Sequence, residues 1–167
     1  MMGLPWAPQS WNRRDSDAAP PICERIRRVY GLYQRHLRYV NNWDLVDLTA
    51  PNIVGAYLLK GQRGVLDRLA RSPNLWRRRV AIVATHTFIR RGEFVDTIRI
   101  AGALLNDRED LIHKAVGWML REVGKRDVAA LEEFLRLHGP RMPRTMLRYA
   151  IERFPEFRRK AYLAGIS

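Results

Sequence analysis

An all-α solenoid is the fold class this chain predicts, on three observations. From Ile22 onward apolar residues recur every three or four positions, with no sustained alternation of the strand type. The punctuation is short and regular, at Ser72-Pro73-Asn74, Gly92, Asn106-Asp107, Gly124 and Gly139-Pro140. Finally, RRVAI (78–82), HKAVG (113–117) and LRYAI (147–151) align on one another and put Arg79, Lys114 and Arg148 at equivalent places, 35 and 34 residues apart. A period near 35 built from two helices suits an array in which each pair buries one face on its neighbours and the stack curves.

The elements follow in order. Helices are expected over 22–40 and, after the Asn41-Asn42 turn, over 44–59, then over 63–71. One over 74–91 starts after Ser72-Pro73-Asn74 and stops at Gly92; one over 94–105 stops at Asn106-Asp107; one over 109–124 ends at its own glycine. Those over 127–138, 143–153 and 155–163 complete the series around Gly139-Pro140. Residues 1–21, with prolines at 5, 8, 20 and 21 and no continuous apolar stretch, read as a flexible leader, leaving 22–167 as a single repeat domain. The run Val80 to Ile89 is too short to span a bilayer.

Charge narrows the partners. The 167 residues carry 30 Lys+Arg against 17 Asp+Glu, a formal net charge of +13, and 26 of the 30 cations are arginine. The excess points to a polyanion, nucleic acid first and anionic membrane second, and the guanidinium fork suits phosphate. Biased arginine usage over a solvated surface is the plain alternative. Cys23 is the only cysteine, so neither a disulfide framework nor a thiolate metal cluster is expected, and a reducing cytoplasm is the simplest compartment. His36, His86, His113 and His138 lack metal-ligand spacing, and no phosphate-binding glycine loop or nucleophile elbow is present, so no metal or cofactor is expected.

Counting back 35 residues from Arg79 reaches Asp44, inside NNWDLVDL (41–48). Trp43 and Asp47 stand one turn apart and project from one helical face. Asp44 follows the turn and suits the helix amino terminus; Asp47 has no such role and needs a cationic neighbour or a cationic ligand. Trp118, four residues beyond Lys114, shares that residue's face, and Gly117 permits close backbone approach. Trp76, before the RRR run, fits either the core or a sugar-phosphate surface. Aromatic faces and a carboxylate attract a cation. A nucleobase alkylated on a ring nitrogen is such a cation, and cleaving its glycosidic bond builds positive charge on the sugar, which the same groups would stabilise while arginines hold phosphates. Asp47 could also direct a water to the anomeric carbon.

WDLVD (43–47), NLWRRRVAI (74–82) and KAVGWMLREVGK (114–125) stand in an order and spacing that resembles the AlkD-like family of bacterial DNA alkylation repair proteins, over roughly residues 22–160. These are HEAT-like repeat DNA glycosylases that excise N3- and N7-alkylated purines. The resemblance implies a right-handed superhelix of antiparallel helix pairs with a basic concave groove, holding double-stranded DNA as a monomer in the cytoplasm, at the nucleoid. It implies Trp43 and Trp118 as walls of the lesion cradle, Asp47 as the catalytic carboxylate and Arg79 as the active-site arginine, without metal or cofactor, in base excision repair. Arg77, Arg78, His113, Lys114 and Arg148 are the expected DNA contacts. Further helices before the counterpart of Ile22 are also implied, and residues 1–21 do not align with them, so a shortened member or a displaced start is expected. The rival is a catalytically inactive or truncated HEAT-like scaffold that only binds DNA.

Overall fold

The computed structural model describes residues 22–165, which are helical with no strand among them; the expected leader, 1–21, lies outside the described residues. Helix α1 (Ile22–His36) closes in a 3-10 turn. Helix α2 (Trp43–Thr49) starts at Asn42, whose side-chain oxygen accepts the Asp44 amide at 3.0 Å, and Asp44 lies in the first turn, where the dipole favours a carboxylate.

The helix expected over 44–59 is not uniform. Residues Ala50–Gly55 widen into a π-helical turn before α3 (Ala56–Leu58). Pro51 explains the widening: it has no N–H for the Asp47 carbonyl and its ring crowds that oxygen. Side chains take up the slack, Asn52 donating to the Leu48 carbonyl at 2.7 Å and the Thr49 hydroxyl to Leu45.

Helix α4 (Val65–Ala70) precedes α5 (Leu75–Val83), which Asn74 caps by accepting the amides of Trp76 and Arg77. The single helix expected over 74–91 breaks at Ala84-Thr85, and α6 (His86–Ile89) follows. The Thr85 hydroxyl and amide both donate to the Ile82 carbonyl, at 2.6 and 3.1 Å, a local bond that tightens the chain out of the α-helix. The π-helical turn meets that break: a Cβ on Gly55 would lie 2.5 Å from the Ala84 carbonyl oxygen, and the Thr87 hydroxyl donates to the Pro51 carbonyl at 2.6 Å. Then come α7 (Val95–Ala103), α8 (Asp110–Gly124), α9 (Val128–His138), α10 (Arg144–Ala150) and α11 (Glu156–Leu163).

Helices α2, α5, α8 and α10 lie side by side as one layer; α4, α9 and α11 back α5, α8 and α10, and α7 joins α4. Between the layers Val46, Val54, Leu66, Val80, Ile82, Phe88, Ile100, Ile112 and Met119 are fully buried, each contributing about 1.5–3 kcal/mol over exposure. Trp76 packs half-buried against this core. The second layer is tied by charge. Asp96 accepts from Arg63 at 2.7 Å and from Arg99 at 2.6 Å, Arg99 also reaches Asp67, and Arg63 lies 4.1 Å over the Phe88 ring. Burial raises the Asp96 carboxyl, but the hydrogen bonds and charges of the two arginines outweigh it and hold it below the ordinary value.

The helical repeat is real, but touching partners do not sit at the aligned stations. Asp47–Arg79, Arg79–Leu111 and Asp67–Arg99 are all 32 residues apart, and Gly55–Thr87, His86–Trp118 and Gly117–Tyr149 contact at the same offset. Neighbouring helices are therefore slipped by about one turn against the 34–35-residue alignment. Gly117 shows how close they come, since a Cβ there would lie 2.5 Å from the Met146 carbonyl oxygen and from Tyr149 Cβ. The close approach that Gly117 permits is thus that of a packed helix. Gly117→Ala is expected to destabilise by about 1–3 kcal/mol in chemical unfolding. Gly102→Ala, where a Cβ meets nothing within 4 Å, should be neutral or stabilising by up to about 1 kcal/mol.

Candidate functional site

The centre of the site is the side chain of Arg79. Its Nε donates to Asp47 Oδ1 at 2.9 Å and its Nη2 to Asp47 Oδ2 at 2.8 Å, a bidentate fork, while Nη1 donates to the Leu111 carbonyl at 2.6 Å. One guanidinium so joins α2, α5 and α8. Arg79 is 5% exposed, and the Asp47 side chain 18%. The cationic neighbour that Asp47 requires is therefore Arg79. Each carboxylate oxygen keeps a second lone pair beyond the fork.

Trp43, one turn before Asp47, is 54% exposed, so a large aromatic face stands in water at the start of α2. On α8, Leu111, Lys114, Trp118 and Glu122 follow one another along a single face at helical spacing. Lys114 pairs with Asp110 at 2.8 Å, a partly exposed i,i+4 bridge that leaves the ammonium at the surface. Trp118 is half-buried, with its ring centroid 5.8 Å from that of His86. Asp47 and Arg79 are thus brought into direct contact, and Trp118 stands on the helix whose carbonyl Arg79 holds.

The remaining expected DNA contacts divide into two groups. Arg77 is exposed, and Arg148 is exposed in a cleft it shares with Arg144, Tyr149 and Arg159 between α10 and α11. Arg78 and His113 are used internally. Arg78 donates to both oxygens of Asp107, at 2.6 and 3.2 Å, and to the carbonyls of Ser72 and Pro73. The His113 ring lies 2.6 Å from the Asp107 carbonyl through Nε2, which donates the bond. Both brace the turn before α8 through Asp107, which together with the Ser72 and Pro73 carbonyls takes four of the five Arg78 N–H groups.

Three features escape sequence reasoning. Leu111 acts through a backbone carbonyl, which no side-chain pattern reveals. His86 lacks metal spacing, yet it is half-buried against Trp118, and burial, helped by Arg90, Arg126 and Lys125 against the opposing Glu122, lowers its pKa below the ordinary histidine value. Arg144 had a readable signal, since it stands four residues before Arg148 on one face. Among the described residues no group of His, Cys, Asp or Glu could hold a metal ion, and no helix is long and apolar enough to cross a membrane.

With this geometry in place, comparison with known proteins is informative: the model of a family described as DNA alkylation repair enzyme matches residues 5–154. The match begins inside the segment 1–21 and ends before α11. No curated protein matches the chain. The fork itself is directly testable. Arg79→Lys keeps the charge but loses the planar fork and the reach to Leu111, and is expected to lower the unfolding free energy by about 2 kcal/mol or more. Lys114→Ala should leave the melting temperature unchanged.

Proposed function

The chain belongs to the DNA alkylation repair enzyme family, and from that membership together with the site we propose that it is a monofunctional DNA glycosylase for N3- and N7-alkylated purines in duplex DNA. The membership itself establishes a role in DNA alkylation repair, with DNA as the substrate. The observation that carries the finer reading is a carboxylate held rigidly at a partly exposed position, one turn from an exposed tryptophan, in a protein of net charge +13.

The reaction asks little of such a site. The C1′–N bond breaks and its electron pair goes to the purine, which neutralises the ring cation, so the base leaves without taking a proton. Positive charge grows on the sugar. The free lone pairs of Asp47 face that charge and direct a water, whose oxygen bonds to C1′ and whose proton passes to the carboxylate and on to solvent. Trp43 and Trp118 offer π faces to the cationic base. Arg79, with every nitrogen engaged, acts as a positioning residue that sets the angle of Asp47.

Phosphate contact falls to Arg77, Lys114 and Arg148, with Arg144 and Arg159 beside the last, while Arg78 and His113 shape the turn that positions α8. The protein works as a monomer in the cytoplasm, at the chromosome, and needs neither metal nor cofactor. One observation favours the rival, a scaffold that binds DNA without turnover: both Asp47 oxygens already accept from Arg79.

Base release separates the two. Wild-type protein is expected to liberate free N7-methylguanine and N3-methyladenine from methylated duplex, and Asp47→Asn to slow this by about 100-fold or more while its circular dichroism stays native. No release by wild type, with binding that weakens steeply in salt, would establish the scaffold instead.

A further inference from the structure

Outside the Asp47–Arg79 fork, the one aromatic contact on α8 that involves a titratable group is His86 against Trp118. The pair repeats the 32-residue offset that joins Asp47 to Arg79 and Arg79 to Leu111, so it lies two turns along the same seam between the α5–α6 segment and α8. The ring centroids are 5.8 Å apart and the planes inclined by 47°. That distance is within the range at which a cation over an indole is attracted to its face.

We propose that His86 is a positioning residue for Trp118 that, as the neutral imidazole, leaves the indole free to receive a cationic base and, as imidazolium, takes that face for itself. The proposal rests on the glycosylase reading, in which Trp118 is one wall of the site. A positive charge built into the protein beside Trp118 would compete with the positive charge of the substrate, by direct repulsion and by engaging the same π quadrupole.

The surroundings favour the neutral form. The charged groups facing His86 are Arg90, one turn on, and Glu122, Lys125 and Arg126 from α8 and its carboxyl end. Glu122, the one anion, is itself bound to Lys125 at 2.7 Å. Burial and the three cations outweigh Glu122, so His86 stays neutral at physiological pH and gains its proton only below the ordinary value of 6.5. The predicted window of inhibition therefore lies on the acid side of 6.5 and opens as pH falls.

The test uses the full chain and a duplex carrying one N7-methylguanine, whose own titration is common to every protein compared. Single-turnover release is followed from pH 7.5 to 5.0 for wild type, His86→Phe and His86→Gln, each normalised to its own rate at pH 7.5. Wild type should lose about three- to tenfold more than either variant over this range. Tryptophan emission, recorded in parallel without DNA, should show an acid quenching transition in wild type that is absent from both His86 variants and from Trp118→Phe. Parallel rate profiles, or a quenching transition that survives in the variants, would overturn the proposal. If wild type releases no base at any pH, the glycosylase reading fails and this proposal with it; a surviving His86-dependent quenching transition would then mark the contact as structural only. Glutamine at position 86 keeps the experiment decisive should phenylalanine be too large for the seam.

Discussion

Much of this structure depends on a guanidinium taken out of water. Arg79 is 5% exposed, and a charge buried to that degree is tolerated only where it is both paired and hydrogen-bonded. Asp47 provides the pair and two of the bonds, and the Leu111 carbonyl a third, so that each of the three nitrogens has a partner. Meeting those two demands ties three successive members of one helix layer together, because the donors of a single planar fork point to α2 on one side and α8 on the other. The order of the solenoid and the position of the acid are the same constraint.

That constraint reshapes the role of charge. In a chain of net charge +13 an isolated carboxylate would be drawn to whichever arginine could reach it. The bidentate fork removes that freedom and leaves the acid with one orientation, set by a residue that cannot follow solvent. Pro51 acts from the other side. By denying the Asp47 carbonyl its usual partner it widens the turn after α2, and Gly55 lets that turn settle onto the Ala84-Thr85 break. Two departures from regular helix, each with a local cause, thus meet just after the helix that carries the acid. Among the surface cations, Arg77 and Arg148 are exposed, whereas Lys114 pairs with Asp110 and Arg144 donates to the Leu163 carbonyl, which ties α10 to α11.

How much of this could be read beforehand follows from what each feature rests on. The helical class, the Asn42 and Asn74 starts and the pairing of Trp43 with Asp47 on one face are properties of local spacing and capping, which sequence displays. Asp44 as the amino-terminal acid was equally legible. The 34–35-residue alignment correctly revealed a repeat, yet the contacts run at 32, because an alignment gives equivalence between units and says nothing of how far one helix slides along the next. The break at Thr85 was hidden for another reason: a threonine within an apolar helical pattern fits an unbroken helix as well as one in which its hydroxyl bonds back to the Ile82 carbonyl. Arg78 looked like Arg77 and Arg79 in a run of three, and only their different partners, Asp107, solvent and Asp47, separate them.

If the fork exists to hold a carboxylate ready for a cation, affinity should track charge at the sugar, since catalytic sites bind best what resembles the transition state. The most direct measurement is the dissociation constant for two duplexes that differ only at one site, a protonated azasugar in one and a neutral tetrahydrofuran in the other. The account predicts at least about tenfold tighter binding of the cationic analogue, reduced to parity by Asp47→Asn. Equal affinity of wild-type protein for the two duplexes would contradict it.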